Sequence, residues 1–214
     1  MSRRPLACLT GLLACSLLPQ LAAAFVVDIN PTMGTRQLYL RVGDGTMNGG
    51  WYSSGTARPA INPTVNRVQV TVPAGQVGNG TSLPMNQGNL GSGISHWDGF
   101  QFCNPGEVYI GGFWRRPGNA TNNAVLSVTS PADLVDGNGH SIPISQISWT
   151  TSGNGDTGTQ PIPAGQFNGT GGQFIANFVQ NTWNESCMSF RYANQTAVPA
   201  GVYTARVTFT LSSP

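Results

Sequence analysis

The run of residues 203–211 sets the period of this chain. Tyr203, Ala205, Val207, Phe209 and Leu211 alternate with Thr204, Arg206, Thr208 and Thr210. Successive side chains on a strand point to opposite faces, so strict alternation predicts a strand with one buried and one wet face. The same period recurs in 65–72, where Val68, Val70 and Val72 alternate with Arg67, Gln69 and Thr71. No window shows the apolar spacing of an amphipathic helix. Turn-forming residues interrupt the chain at short intervals: it holds 28 Gly and 15 Pro. Glycine supplies positive φ and proline a fixed φ, so each cluster reads as a reversal of direction. Further strands are expected at 37–42, 97–103, 108–114, 124–129, 142–149 (bent), 162–167, 174–179 and 186–192, with a turn at 181–184. Residues 75–96 read as a long Gly/Asn-rich loop. Strands at this spacing predict an all-β fold, an immunoglobulin-like antiparallel β-sandwich with a long Gly/Asn-rich loop. Two small domains divided near residue 124 are the alternative.

The first 24 residues have a different character. Arg3 and Arg4 precede the apolar stretch 6–18, and Ala22, Ala23 and Ala24 form a small-residue cleavage site. This is the pattern of a secretory signal peptide. Leu12, Leu13, Ala14 and Cys15 also spell a lipidation box, so lipidation at Cys15 and cleavage after Ala24 both stand as expectations. The expected division is therefore 1–24 leader, 25–36 N-terminal extension, and 37–214 β-sandwich domain. Past the leader no apolar run is long enough to span a bilayer, so no membrane span is expected. All ten basic residues are Arg. Arg3 and Arg4 leave with the leader, and the rest of the chain then balances eight Arg against eight carboxylates. That balance offers no basic footprint for nucleic acid or an anionic membrane.

Past the leader two cysteines remain, Cys103 and Cys187. In an oxidising compartment they read as one disulfide, with two buried thiols as the alternative. Closing so long a loop restricts the unfolded chain and contributes roughly 3–5 kcal/mol. Two cysteines and two distant histidines lack ligand spacing, so no metal site and no cofactor are expected. His96 lies in Ser95-His96-Trp97-Asp98, but neighbouring side chains on a strand diverge and cannot build a triad alone. His140 follows a turn and reads as solvated. Asp98 and Glu107 are a conceivable carboxylate pair for glycoside hydrolysis. The Asp136-Gly137-Asn138-Gly139 run lacks the alternating ligands of a calcium loop. The reading is non-enzymatic, with no catalytic residue, and an exported hydrolase is the remote alternative.

The tryptophans Trp51, Trp97, Trp114, Trp149 and Trp183 are either core or a platform for sugar rings. Trp97 and Trp149 lie in strand-like runs and are expected in the core. Trp51 and Trp183 have loop-like flanks and are the candidate ligand contacts of a self-contained carbohydrate- or protein-binding module. Five N-x-S/T triplets, at Asn79, Asn119, Asn168, Asn184 and Asn194, are what an Asn/Thr/Ser-rich chain yields by chance.

Gly201, Tyr203, Val207, Phe209 and Leu211 sit in the spacing G-x-Y-x-x-x-V-x-F-x-L near the end of the chain. A short extended segment, 25–33, precedes the first clear strand. In these two features the chain resembles bacterial fimbrial subunits of the chaperone–usher type, which are immunoglobulin-like domains lacking a strand. It departs from them in ending on Ser212, Ser213 and Pro214 without a terminal aromatic, and in its cysteine spacing. The resemblance implies an exported subunit that passes through the periplasm to a surface fimbrium. Its partners would be other copies or related fimbrial subunits, with a periplasmic chaperone and usher. It also implies that Val27, Ile29 and Met33 form a donor strand, while Tyr203, Ala205, Val207, Phe209 and Leu211 form the C-terminal edge strand that receives one. Residues 25–33 as the domain's own first strand are the alternative.

Overall fold

The computed structural model describes residues 36–44, 50–52, 65–116 and 122–213. The expected leader, the donor residues Val27, Ile29 and Met33, and Asn119 fall outside these residues. For Trp51 only the backbone is described.

Among the described residues there are fourteen strands and two short 3₁₀ turns. In chain order the strands are β1 (Arg36–Val42), β2 (Gly50–Tyr52), β3 (Arg67–Gln69), β4 (Leu83–Pro84), β5 (Gln87–Asn89), β6 (Val108–Arg115) and β7 (Ala124–Thr129). They continue as β8 (Asp133–Val135), β9 (Ser141–Pro143), β10 (Ile147–Ser152), β11 (Gly165–Gln166), β12 (Gln173–Phe178), β13 (Trp183–Tyr192) and β14 (Thr208–Ser212). The larger sheet runs β11-β10-β13-β6-β1-β2, with β4 pairing the far end of β13. The second sheet is β12-β7-β14. Two ribbons, β3-β5 and β8-β9, complete the set, and every pair of strands is antiparallel. The expected all-β sandwich is present. Its larger sheet draws strands from both sides of residue 124, since β6 pairs with β1 on one side and β13 on the other.

The core lies between the sheets. Val108, Ile110 and Trp114 of β6, Met188, Phe190 and Tyr192 of β13, and Ile147 and Trp149 of β10 face Ala124, Leu126 and Val128 of β7, Phe178 of β12 and Leu211 of β14. Burying one such large side chain contributes about 1.5–3 kcal/mol. The ring N–H groups of both core tryptophans are satisfied: Trp114 Nε1 donates to the Asn122 carbonyl (3.1 Å) and Trp149 Nε1 to the Pro163 carbonyl (2.9 Å). β7 alternates cleanly between buried and half-buried, as a strand with one wet face should. β6 is buried on both faces from Val108 to Gly112, because a loop crosses its outer side.

Several expected strands are shorter than their alternation suggests. In 65–72 Val68, Val70 and Val72 do turn inward and half-bury, but only Arg67–Gln69 pairs, against the short β5. Residues 97–103 form no strand. Trp97 N donates to Ser95 Oγ, Phe100 N to Asp98 Oδ1, and Gly99 takes φ +77°. Side-chain acceptors bend this backbone locally instead of leaving it free for a ladder. In 162–167 only Gly165–Gln166 pairs; Pro161 and Pro163 have no N–H to give. The C-terminal strand begins at Thr208, not Tyr203. Thr204 exchanges two backbone bonds with Val135 (3.0 and 2.9 Å), which holds the segment on the β8-β9 ribbon before it joins β7. Ala205 is consequently exposed instead of aligned with Val207, Phe209 and Leu211. The turn expected at 181–184 is tighter: Asn181 takes φ +57° and β13 already starts at Trp183.

The segment 75–96 is a tied structure rather than an open loop. Asn194 is 1% exposed and reaches into it. Its Oδ1 accepts from Gly78 N (2.9 Å), and its Nδ2 donates to the Gln76 carbonyl (2.7 Å) and Asn79 Oδ1 (3.0 Å). One buried amide thus fastens a turn more than a hundred residues away in the sequence. Asn194 and the buried Asn184 are closed to glycosylation in the folded state.

Candidate binding surfaces

The outer face of the larger sheet carries a built cluster. Register puts Tyr39 of β1 opposite Phe113 of β6, and Phe113 opposite Trp183 of β13. Tyr39 and Phe113 stack across the strands with centroids 4.7 Å apart, and Trp183 meets Phe113 tilted by 45° at 5.7 Å. Trp97, from the loop beyond, extends the row at 5.5 Å from Trp183. These are ordinary spacings for favourable aromatic pairs. Trp97 is 42% exposed, so it is not a core residue as its strand-like context suggested.

The next row is Arg41, Gly111 and Glu185. Gly111 leaves room for the Tyr109 ring, whose hydroxyl a Cβ there would strike. That hydroxyl donates to Glu185 Oε2 (2.7 Å), which also accepts from Ser95 Oγ (2.8 Å) and Trp183 Nε1 (2.9 Å). Among the described residues nothing donates to the other oxygen, Oε1. Burial, and then the adjacent Glu185, push the Tyr109 phenol well above its ordinary value. Arg41 Nη1 donates to His96 Nδ1 (2.6 Å). A guanidinium has no acceptor, so His96 is the neutral tautomer with its proton on Nε2. Partial burial and the Arg41 charge both lower its pKa, in keeping with that state.

The loop over this face is held by the expected disulfide. Cys103 and Cys187 are joined across a separation of 84 residues, fully buried with Phe102 and Tyr109. Glu107 lies near both sulfurs, but a disulfide presents no thiolate, so this trio is not a metal site. Glu107 is otherwise engaged: Oε1 accepts from Ser152 Oγ (2.8 Å) and Ser189 Oγ (3.1 Å), and Oε2 from Asn104 N (2.8 Å). A shallow polar groove of ≈ 250 Å³ opens beside it, lined by Asn86, Glu107, Thr150, Ser189 and Arg191 among others.

The residues considered for catalysis are occupied separately. Ser95 Oγ donates to Glu185 and His96 faces Arg41, so the two do not form a dyad. Asp98 caps the Phe100 N–H while Glu107 serves the groove. His140 is exposed, as expected, and its Nδ1 lies 2.8 Å from Asp136 Oδ2; this bond is the first cause that holds the Asp136 carboxyl below its usual range. Asp136 Oδ1 also accepts from Asn138 N and His140 N, a self-contained turn.

A second surface lies at the edge of the smaller sheet. Among the described residues β14 has one hydrogen-bonded partner, β7. β14 also lies near β1 without pairing to it. Leu38, Leu40 and Val42 of β1, Phe209 of β14, and Val207 and Tyr203 before it pack against the core yet stay only partly buried. Of the two tryptophans proposed as ligand contacts, Trp183 joins the aromatic row, and Trp51 pairs with Gln37 through its backbone. The row's Tyr39 and Phe113, and Glu185 in the next row, escaped the sequence reading because cross-strand register alone brings them together; Trp97 was noted but expected in the core. The described residues define an antiparallel β-sandwich with an aromatic outer face and, among its edge strands, β14 beside half-covered apolar side chains. No protein-family model, curated protein or solved structure matches the chain.

Proposed function

We propose that this protein is an exported structural subunit of a bacterial surface fimbrium, an immunoglobulin-like sandwich that assembles by β-strand addition and contributes to adhesion. The observation that carries this reading is the open edge of β14 beside half-covered apolar side chains. An unpaired edge offers a row of free N–H and C=O groups, and the neighbouring Val207, Phe209, Leu38 and Leu40 offer the apolar contacts an added strand would complete. The buried disulfide is compatible with an oxidising compartment. In this reading residues 25–36 of one copy supply the strand, with Val27, Ile29 and Met33 entering the gap of the next. Other copies or related subunits are the partners, delivered by a periplasmic chaperone and usher. The test compares the exported chain with one lacking residues 25–36, by unboiled electrophoresis and size-exclusion chromatography. Strand addition predicts stable multimers that vanish on truncation, and a truncated domain that binds a synthetic 25–36 peptide. A monomer at every concentration, with a truncated form that unfolds, would assign the segment to its own sandwich and end the fimbrial reading.

A further inference from the structure

We infer that the outer face of the larger sheet is a carbohydrate-binding site, in which exposed Trp97, backed by the Trp183–Phe113–Tyr39 row, stacks a neutral pyranose ring while Glu185 and His96 bond its hydroxyls. The site is separate from the β14 edge and does not depend on strand addition.

The shape of the row argues first. Four rings lie in a line, one from each of three adjacent strands and one from a disulfide-anchored loop, with neighbours 4.7–5.7 Å apart. A stable protein interface needs a broad patch, about 800 Å² on each side. The Tyr39 and Phe113 faces cover each other, so the face left for a flat sugar ring is that of Trp97 at the end of the line. The C–H face of a pyranose is apolar and is removed from water by an aromatic plane. Trp97 is 42% exposed at the open end of the row, where a ring could be covered.

The polar groups argue second. A sugar presents hydroxyls at its rim, each a donor and an acceptor, so its site needs both kinds of partner. Glu185 Oε2 is fixed by three donors, which leaves Oε1 as an oriented acceptor beside the Trp183 ring. His96, directly before Trp97, has its Nδ1 committed to Arg41 and so keeps Nε2–H to donate. An apolar partner laid over the row would bury the Glu185 oxygen unpaired, which disfavours it. Glu185 and Arg41 share one row and balance in charge, which suits neutral hexoses and N-acetylhexosamines.

The support is also rigid. Trp183 Nε1 is bonded to Glu185, Trp97 N to Ser95 Oγ, and the loop is clamped where Cys103 joins Cys187. Little ordering is left to be done on binding, the usual condition for a small polar ligand to be held.

The test exposes the full exported chain to an array of neutral hexose and N-acetylhexosamine oligosaccharides, then titrates the strongest one by tryptophan fluorescence. We expect binding that Trp97→Ala weakens tenfold or more and Glu185→Gln weakens several-fold, with circular dichroism unchanged. Phe174→Ala removes an exposed aromatic on the other sheet and should leave the affinity as it was. The inference is overturned if the full chain retains no oligosaccharide. It is overturned equally if Trp97→Ala binds as well as the parent, or if the protein adsorbs to bare polystyrene while ignoring every sugar.

Discussion

At the scale of single residues, the outer face of the sheet depends on one tyrosine. Tyr109 is 1% exposed, and its hydroxyl lies between Ser95, Glu185 and the backbone of His96. Its folded pKa is raised, first by burial and then by Glu185. A raised folded value means stability is fully present below the ordinary phenol pKa near 10 and is lost as pH rises beyond it. One proton of difference gives a slope of up to about 1.4 kcal/mol per pH unit. Tyr109→Phe should therefore cost about 1 kcal/mol at neutral pH, from the lost hydrogen bond, and flatten the fall in stability between pH 10 and 11. Urea midpoints of the two proteins across that range measure it; parallel curves would show that Tyr109 is not the group responsible.

At the scale of elements, β6 is the strand on which both faces depend. Alternation gives it Val108, Ile110 and Trp114 inward, and Tyr109 and Phe113 outward. Its two glycines do what no other residue could. Gly111 makes room for the Tyr109 ring, and Gly112 brings β1 close, since a Cβ there would collide with the Tyr39 carbonyl. That neighbour is backbone and cannot swing aside, so Gly112→Ala should destabilise by about 1–3 kcal/mol and disturb the Tyr39–Phe113 stack. Thermal unfolding gives the first number and the near-ultraviolet aromatic signal the second. An unchanged protein would mean that the β1-β6 spacing is soft. β14 shows the opposite behaviour. Its alternation was plain in the sequence, yet only five residues pair, because the Thr204 bridge to Val135 decides where the strand can begin.

At the scale of the whole molecule, the Cys103–Cys187 bridge ties the covering loop to the middle of β13. Closing 84 residues, it should contribute roughly 3–5 kcal/mol by restricting the unfolded chain. The double variant Cys103→Ser, Cys187→Ser should lower the denaturation midpoint accordingly. It should also release Trp97 from the aromatic row, seen as a change in tryptophan emission. Stability lost without any change in emission would mean that the side-chain bonds of Ser95 suffice to hold the loop.

The sequence by itself determined the class of fold, the disulfide, and most inward positions, because these depend on local period and on counting. Val68, Val70, Val72, Trp149 and Leu211 all face the core side that alternation assigned them. The tertiary structure alone decided which alternating runs become paired strands. A ladder requires a partner of matching length, as 65–72 and 203–211 show by pairing over only a few residues. It alone also turned the apparent loop 75–96 into a turn fastened by Asn194, and put Trp97 on the surface instead of in the core. The aromatic row was hidden for the same reason. Tyr39, Trp97, Phe113 and Trp183 are scattered along the chain, and only the pairing of β1, β6 and β13, with a loop stapled above them, brings the four rings into one line.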